Sequence, residues 1–313
     1  MPSFATEVKN ELARLMYDKE CCRTAELAAL LRMGAAISIG AAHALGINFT
    51  TENAAVARKA LTLLKETGDV RTEIMVSRSR RLKKNNSYCV RVLPSPKVSA
   101  LLERLGLMHG ASFNVGTDSA LLRRQCCRIA YLRGAFLGGG SVNRPDAGCH
   151  LELVTGSYSF AELLASLLKK LDLPAGLTDR KNDYVVYIKE GEAILDFLGM
   201  LEAEQAVEEF EVTRNLKEVR NQVNRLVNCE TANLQKTVDA AGRQIARIQT
   251  LAGAGRLRGL PDTLRETAEA RLAHPDATLS ELAALLKVGK SGINHRLRKL
   301  EKAGIVSGYH ARI

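Results

Sequence analysis

The chain has 313 residues, none of them tryptophan, and aromatic residues make up only 4% of it. Its cores must therefore be built from leucine, alanine and valine. No uninterrupted apolar run approaches the roughly 18 residues needed to cross a bilayer, so no membrane association is expected. The opening residues, Met1-Pro2-Ser3-Phe4-Ala5-Thr6-Glu7, lack the basic and apolar regions of a secretory signal. The expected compartment is the cytoplasm. The seven cysteines are an odd number, and none has the C-x2-C or C-x4-C spacing of a zinc site. Cys21-Cys22 and Cys126-Cys127 are adjacent pairs, read as buried reduced thiols in preference to redox centres. No Ser/His/Asp or Cys/His pairing falls at a recognisable motif, and His43, His109, His150 and His310 are scattered. Gly138-Gly139-Gly140 looks like a phosphate loop but fits a tight helix crossing better. The expectation is a non-enzyme without cofactor, metal or small-molecule substrate.

What the chain does have is positive charge, at a formal +11. Residues 71–97 hold eight basic side chains against one acid, and residues 214–258 hold nine against three. Residues 202–211, by contrast, form an acidic block. Clustered positive charge in a soluble protein favours a nucleic-acid partner, because neutralised phosphates release counterions.

The most informative stretch is residues 278–304. Thr278 and Glu281, three apart, form a capping box. Leu279, Leu282, Ala283 and Leu286 mark one apolar face at helical spacing. Lys287-Val288-Gly289-Lys290 breaks the run, with Gly289 expected to take the unusual backbone angle. A second helix then starts near Ser291 and buries Ile293, Leu297 and Leu300. A short helix, a glycine turn and a helix with basic and amide residues near its start form the helix-turn-helix pattern, whose second helix enters the DNA major groove. The candidate DNA contacts are Thr278 and Ser280 on the first helix, then Lys290, Ser291, Asn294, His295, Arg296, Arg298 and Lys299. Asn294 and Arg296 are expected to reach base edges, and Lys290, Arg298 and Lys299 to hold phosphates. The plain alternative is a helical hairpin with a solvated basic face. Residues 262–273 supply a further helix, with Leu264, Ala268 and Leu272 inward.

The N-terminal part contains a repeat. Cys21, Cys22, Arg23, Ala25, Leu27 and Gly34 recur at one fixed offset as Cys126, Cys127, Arg128, Ala130, Leu132 and Gly139, six identities in fourteen positions. That argues for an internal duplication. After each repeat helix come paired strands (36–51 and 141–155), a helix (53–67 and 157–171), a hairpin (70–77 with 88–93, and 175–179 with 184–189) and a last helix (97–105 and 192–201). Ala28, Ala29, Gly134 and Ala135 allow the two repeat helices to approach closely. The fold class is α+β: a duplicated αββαββα pseudo-dimer followed by an all-α helix-turn-helix domain. The expected domains are 1–110 and 111–205 for the two halves, 206–258 for a helical linker and 259–313 for the helix-turn-helix domain. Within the linker, Leu216, Val219, Val223, Leu226 and Val227 form an apolar stripe. Lys217, Asn221, Asn224, Arg225 and Asn228 share another face. Asparagine is a poor helix former, and packing between domains is the favoured reason for the row, an amide-rich surface against phosphates the other. At the tip of the first hairpin, Arg78, Arg80, Arg81, Lys83 and Lys84 make a secondary candidate for phosphate contact.

The repeat resembles the LAGLIDADG homing-endonuclease fold, most directly in Tyr131-Leu-Arg-Gly-Ala-Phe-Leu-Gly-Gly-Gly-Ser141. In that family each helix ends in an acid that holds a divalent metal at the scissile phosphate; the matching positions here are Gly34 and Gly139. Glycine ligates nothing, so two-metal cleavage has lost its ligands. Together with residues 26–33, 214–233 and 290–300, the chain is similar to the WhiA-type regulators over nearly its whole length. The resemblance implies sequence-specific binding of double-stranded DNA, a role in cell division and chromosome organisation, and sporulation-type transcriptional regulation in relatives. It further implies a nucleoid-associated location and a regulatory protein partner. The alternatives are a protein-interaction scaffold anchored on DNA and a metal-dependent DNA endonuclease.

Overall fold

A computed structural model describes residues 2–78, 86–110, 112–114 and 120–308, the side chains of Ala42 and residues 304–308 excepted. The chain divides into two compact units, Met1–Glu218 and Val219–Ile313.

The first unit opens with α1 (Phe4–Leu12), capped by the Ser3 hydroxyl and buried through Phe4, Val8 and Leu12. The first repeat follows as α2 (Glu20–Gly34), β1 (Ala35–Ile39), β2 (Leu45–Thr51), α3 (Ala54–Gly68), β3 (Thr72–Arg78), β4 (Asn86–Val92) and α4 (Pro96–Arg104). A short hairpin, β5 (Met108–His109) and β6 (Ser112–Phe113), precedes the second repeat. That repeat is α5 (Gln125–Gly139), β7 (Gly140–Val142), β8 (Leu151–Thr155), α6 (Tyr158–Lys169), β9 (Gly176–Arg180), β10 (Asp183–Ile188) and α7 (Gly191–Met200). Each repeat makes one antiparallel sheet with the same permuted order, β1-β2-β4-β3 and β7-β8-β10-β9. The duplicated helix-strand-strand-helix-strand-strand-helix order read from the sequence is the observed fold.

Local chemistry accounts for the elements. Asn53 Oδ1 accepts the amides of Ala55 and Val56 at 2.8 and 3.1 Å and starts α3. Ser157 Oγ does the same for Phe160 in α6. Both are N-cap residue types. Ile47 and Phe49 alternate with polar residues along β2 and are buried. The central helices α2 and α5 are buried throughout residues 25–31 and 130–137, including the charged Glu26 and Arg133. Helices buried on every side belong in the middle of a core. They cross closely because Gly134 lies against the Glu26 carbonyl, where an added Cβ would collide.

The long helix α8 (Glu204–Gly253) starts in the first unit. The Glu11 carboxylate accepts from the Gln205 and Ala206 amides at 2.8 and 3.1 Å, capping its first turn. Arg214 pairs with Glu192 at 2.7 Å, and Lys217 donates to the Pro145 carbonyl at 2.7 Å. Residues 218–239 are then exposed on every face, including Val219, Val223, Leu226, Val227, Asn221, Asn224 and Asn228. Among the described residues the asparagine row is not buried as the favoured packing role expects: all three side chains are exposed. From Ala241 onward α8 is buried on one side again, through Gln244, Ile248 and Leu251.

In the second unit, Ile248 and Leu251 join Ala268, Leu282, Ala283, Ile293, Leu297 and Leu300 in one aliphatic core. The remaining elements are α9 (Asp262–Ala273), α10 (Leu279–Leu285) and α11 (Lys290–Gly308). The inward residues of α9 include Thr267, Ala268 and Arg271, whereas Leu272, expected inward, is exposed. Arg271 lies inward instead, and its guanidinium donates to the Ala277 carbonyl at 2.5 Å in the loop before α10.

Candidate nucleic-acid interface

The capping box forms: Glu281 Oε2 accepts the Thr278 amide at 2.7 Å, and Thr278 Oγ1 accepts the Glu281 amide at 3.3 Å. The Thr278 amide, and after it the Thr278 hydroxyl, holds the Glu281 carboxyl below its ordinary range. The turn after α10 differs from expectation. Lys287, at φ 51°, takes the left-handed conformation, and Gly289 does not. The Lys287 amide donates to the Ala284 carbonyl at 3.3 Å and the Val288 amide to the Ala283 carbonyl at 3.0 Å. This double closure is a Schellman motif, and it puts the left-handed residue one place past the helix cap. Gly289 instead supplies the carbonyl that accepts the first helical bond of α11, from Ile293 at 3.1 Å.

With the turn so closed, α11 buries Ile293, Leu297 and Leu300 completely. Ser291, His295 and Arg298 are exposed, and Asn294 is half-buried. They recur at intervals of three and four, so they share one face of the helix. Lys290 and Lys299 are exposed as well. Arg296 is placed otherwise: its guanidinium donates to the Thr263 carbonyl in α9 at 3.4 Å. The expected base contact by Arg296 is thus set against an intramolecular bond, because position 296 is turned toward α9. Thr278, Ser280, Lys290 and Asn294 line a common cavity of about 420 Å³ with Lys236, Thr237 and Gln244 of α8. The α8 residues were missed in the sequence. They lie over 40 positions before α11, and no local motif ties them to it.

In the first unit, Arg78 stands at the end of β3, while Arg80, Arg81, Lys83 and Lys84 lie outside the described residues. Arg78 shares a cleft of about 1240 Å³ with Lys9, Arg14 and Arg58, from α1, the chain after it and α3. Burial pushes the Lys9 ammonium down to about 8. The solvent-side face of the first sheet is close to neutral: Arg91 donates to Asn48 at 3.3 Å and lies opposite Glu73 in register. At the ends of α2 and α5, a Cβ added to Gly34 would stand 3.1 Å from the Phe49 ring, and one on Gly139 would stand 2.7 Å from the Val154 carbonyl. A carboxylate at Gly139 has no room without backbone movement. Among the described residues, no helix is long and apolar enough to cross a membrane.

A duplicated LAGLIDADG-like α+β domain whose helix ends lack acids, joined to a helix-turn-helix unit, defines a class of helix-turn-helix proteins built on a nuclease-like scaffold. Three family profiles match in matching order: the WhiA N-terminal LAGLIDADG-like domain over residues 20–108, the WhiA LAGLIDADG-like domain over 128–220, and the WhiA C-terminal HTH domain over 223–303. The chain is 52% identical over 304 residues to the probable cell division protein WhiA of Desulforamulus reducens, covering 96% of this chain and 94% of the relative. It is 48% identical over 307 residues to that of Alkaliphilus oremlandii, covering 96% of both. Among solved structures it is similar to full-length DUF199/WhiA from Thermatoga maritima, with a TM-score of 0.57 and 25% identity over 97% of this chain and 98% of that one. The chain belongs to the WhiA family.

Proposed function

We propose that the chain is a non-catalytic, sequence-specific binder of double-stranded DNA, acting at the nucleoid in cell division and chromosome organisation through transcriptional regulation. The observation that carries this reading is the polar stripe Ser291, Asn294, His295 and Arg298, held outward by complete burial of Ile293, Leu297 and Leu300. A helix fixed on one side and polar on the other is the arrangement that presents side chains to a major groove. Asn294 has the amide geometry to read adenine, whereas Lys290, Arg298 and Lys299 suit phosphates. The names of the relatives, as cell division proteins, support the biological setting. The missing acids at Gly34 and Gly139 support a role without strand cleavage.

The test is fluorescence anisotropy of the full chain on promoter and scrambled duplexes across a salt series. Asn294→Ala is expected to lose discrimination between the two duplexes. Lys299→Ala is expected to weaken both alike and to flatten the salt dependence. Equal losses for Asn294→Ala on both duplexes would remove α11 as the reading helix.

A second reading, a protein-interaction scaffold anchored on DNA, draws on the exposed Val219, Val223, Leu226 and Val227 of α8. Exposed apolar residues in a continuous stripe mark contact surfaces. If this reading holds, Val223→Glu with Leu226→Glu leaves DNA binding intact and abolishes recovery of a protein partner in a pull-down.

A further inference from the structure

The two adjacent cysteine pairs, 105 positions apart in the chain, meet in the fold. The Sγ atoms of Cys21, Cys22, Cys126 and Cys127 all lie within 4.8 Å of one another. Within each pair the separation is 4.0 Å. Four atoms that are all mutual neighbours at such distances approximate a tetrahedron. A zinc–thiolate bond of about 2.3 Å sets the edge of a tetrathiolate site at about 3.8 Å. Each sulfur needs to shift by well under about 1 Å to share one ion. An iron–sulfur cubane, whose thiolates sit on separate corners, requires a wider set.

The surroundings pull in two directions: burial pushes the Cys22 and Cys127 thiols up, a cost that a divalent ion held by all four sulfurs would offset. Both pairs lie in the first turns of α2 and α5, at the positive end of each helix dipole. Arg124 Nη1 stands 4.0 Å from Cys21 Sγ. Arg23 is held off by the carbonyls of Tyr17 and Asp18, and Arg128 by those of Leu122 and Arg123. Cys22 and Cys127 are buried, while Cys21 and Cys126 are half-buried. A water-accessible cavity of about 260 Å³ reaches Cys22 and Cys126 and provides an entry path. Packing alone accounts for buried cysteines. It does not call for four at repeat-equivalent positions with their sulfurs converging.

We propose that Cys21, Cys22, Cys126 and Cys127 bind one thiophilic divalent ion of the zinc class, as a tetrathiolate that ties the two repeats together at the head of the central helix pair. Such an ion displaces thiol protons as it binds and stabilises the folded state by mass action.

The full chain, purified under reducing and oxygen-free conditions, is titrated with Co²⁺ and then with Zn²⁺. The expected result is a thiolate-to-cobalt charge-transfer band with the strong visible absorption of tetrahedral cobalt, saturating at one ion per chain and erased by Zn²⁺. Zn²⁺ should also raise the melting temperature. Cys22→Ser and Cys127→Ser, each checked for retained helicity by circular dichroism, should lose the band, and Cys229→Ser, at an exposed position on α8, should keep it. Absence of the tetrahedral band in the reduced full chain overturns the proposal. So does a band that survives in helical Cys22→Ser, or a chain isolated with these cysteines as disulfides that takes up no ion after reduction.

Discussion

The Lys59 ammonium lies 3.2 Å from Glu26 Oε1, and neither side chain has any exposed surface. Lys59 also donates to the Leu15 carbonyl, so α3 is tied at once to α2 and to the chain after α1. Burial pushes the Glu26 carboxyl up from 4.5 to about 7 against the opposing pull of Lys59 and Arg133. Burial likewise pushes the Lys59 ammonium down. Between 4.5 and about 7 the folded chain binds more protons at Glu26 than the unfolded chain, so this group's contribution falls as pH rises through that window. Lys59→Met leaves the carboxyl without its partner, and at pH 8 is expected to cost roughly 3–5 kcal/mol. In urea unfolding the loss should be smaller at pH 5, where Glu26 can remain protonated. A loss independent of pH would mean that the pair is not what Lys59 supplies.

Lys287 holds a left-handed backbone that glycine adopts without strain. Lys287→Gly is expected to stabilise the second unit by up to about 1 kcal/mol, because the strain relieved exceeds the extra entropy of the unfolded chain. Thermal unfolding followed at the helical signal checks it, and a lower melting temperature would contradict the turn geometry.

Gly134→Val places a branched side chain against the Glu26 backbone at the crossing of α2 and α5. Overpacking costs of about 1–3 kcal/mol are typical of cores that can adjust. Here the obstacle is backbone, so the loss should reach at least the upper end. Gly199→Ala in α7, where an added Cβ meets nothing within 4 Å, is the control and should be neutral to stabilising by up to about 1 kcal/mol. Chemical denaturation of the two variants side by side gives the comparison.

Arg296→Ala removes the bond to the Thr263 carbonyl. The expected outcome is a stability loss of about 0.5–1.5 kcal/mol with sequence preference on DNA unchanged. Anisotropy on matched and scrambled duplexes measures the second half. Loss of discrimination would show that Arg296 leaves α9 to contact a base.

Helix α11 and the turn before it show how legible the site was. The stripe Ser291, Asn294, His295 and Arg298 follows from the helical period alone, and the capping box from two residue types three apart. The same period says nothing of Arg296, whose partner Thr263 is 33 positions away. Gly289 drew attention as the flexible residue of the turn, yet the left-handed position fell on Lys287. The Schellman closure is set by where α10 ends, and Gly is a preference there, not a requirement.

By itself the sequence determined the duplicated α+β order, the small residues that let α2 and α5 cross, the loss of acids at Gly34 and Gly139, and the helix-turn-helix. All of these are local periodicities or fixed-offset identities, so each is readable within a few turns of chain. Tertiary structure alone decided the meeting of Cys21 and Cys22 with Cys126 and Cys127, the buried Glu26–Lys59 pair, the basic cleft of Lys9, Arg14, Arg58 and Arg78, and the solvent exposure of the α8 asparagines. Those depend on which surfaces close against each other, and burial, unlike helical phase, is a property of the packed whole.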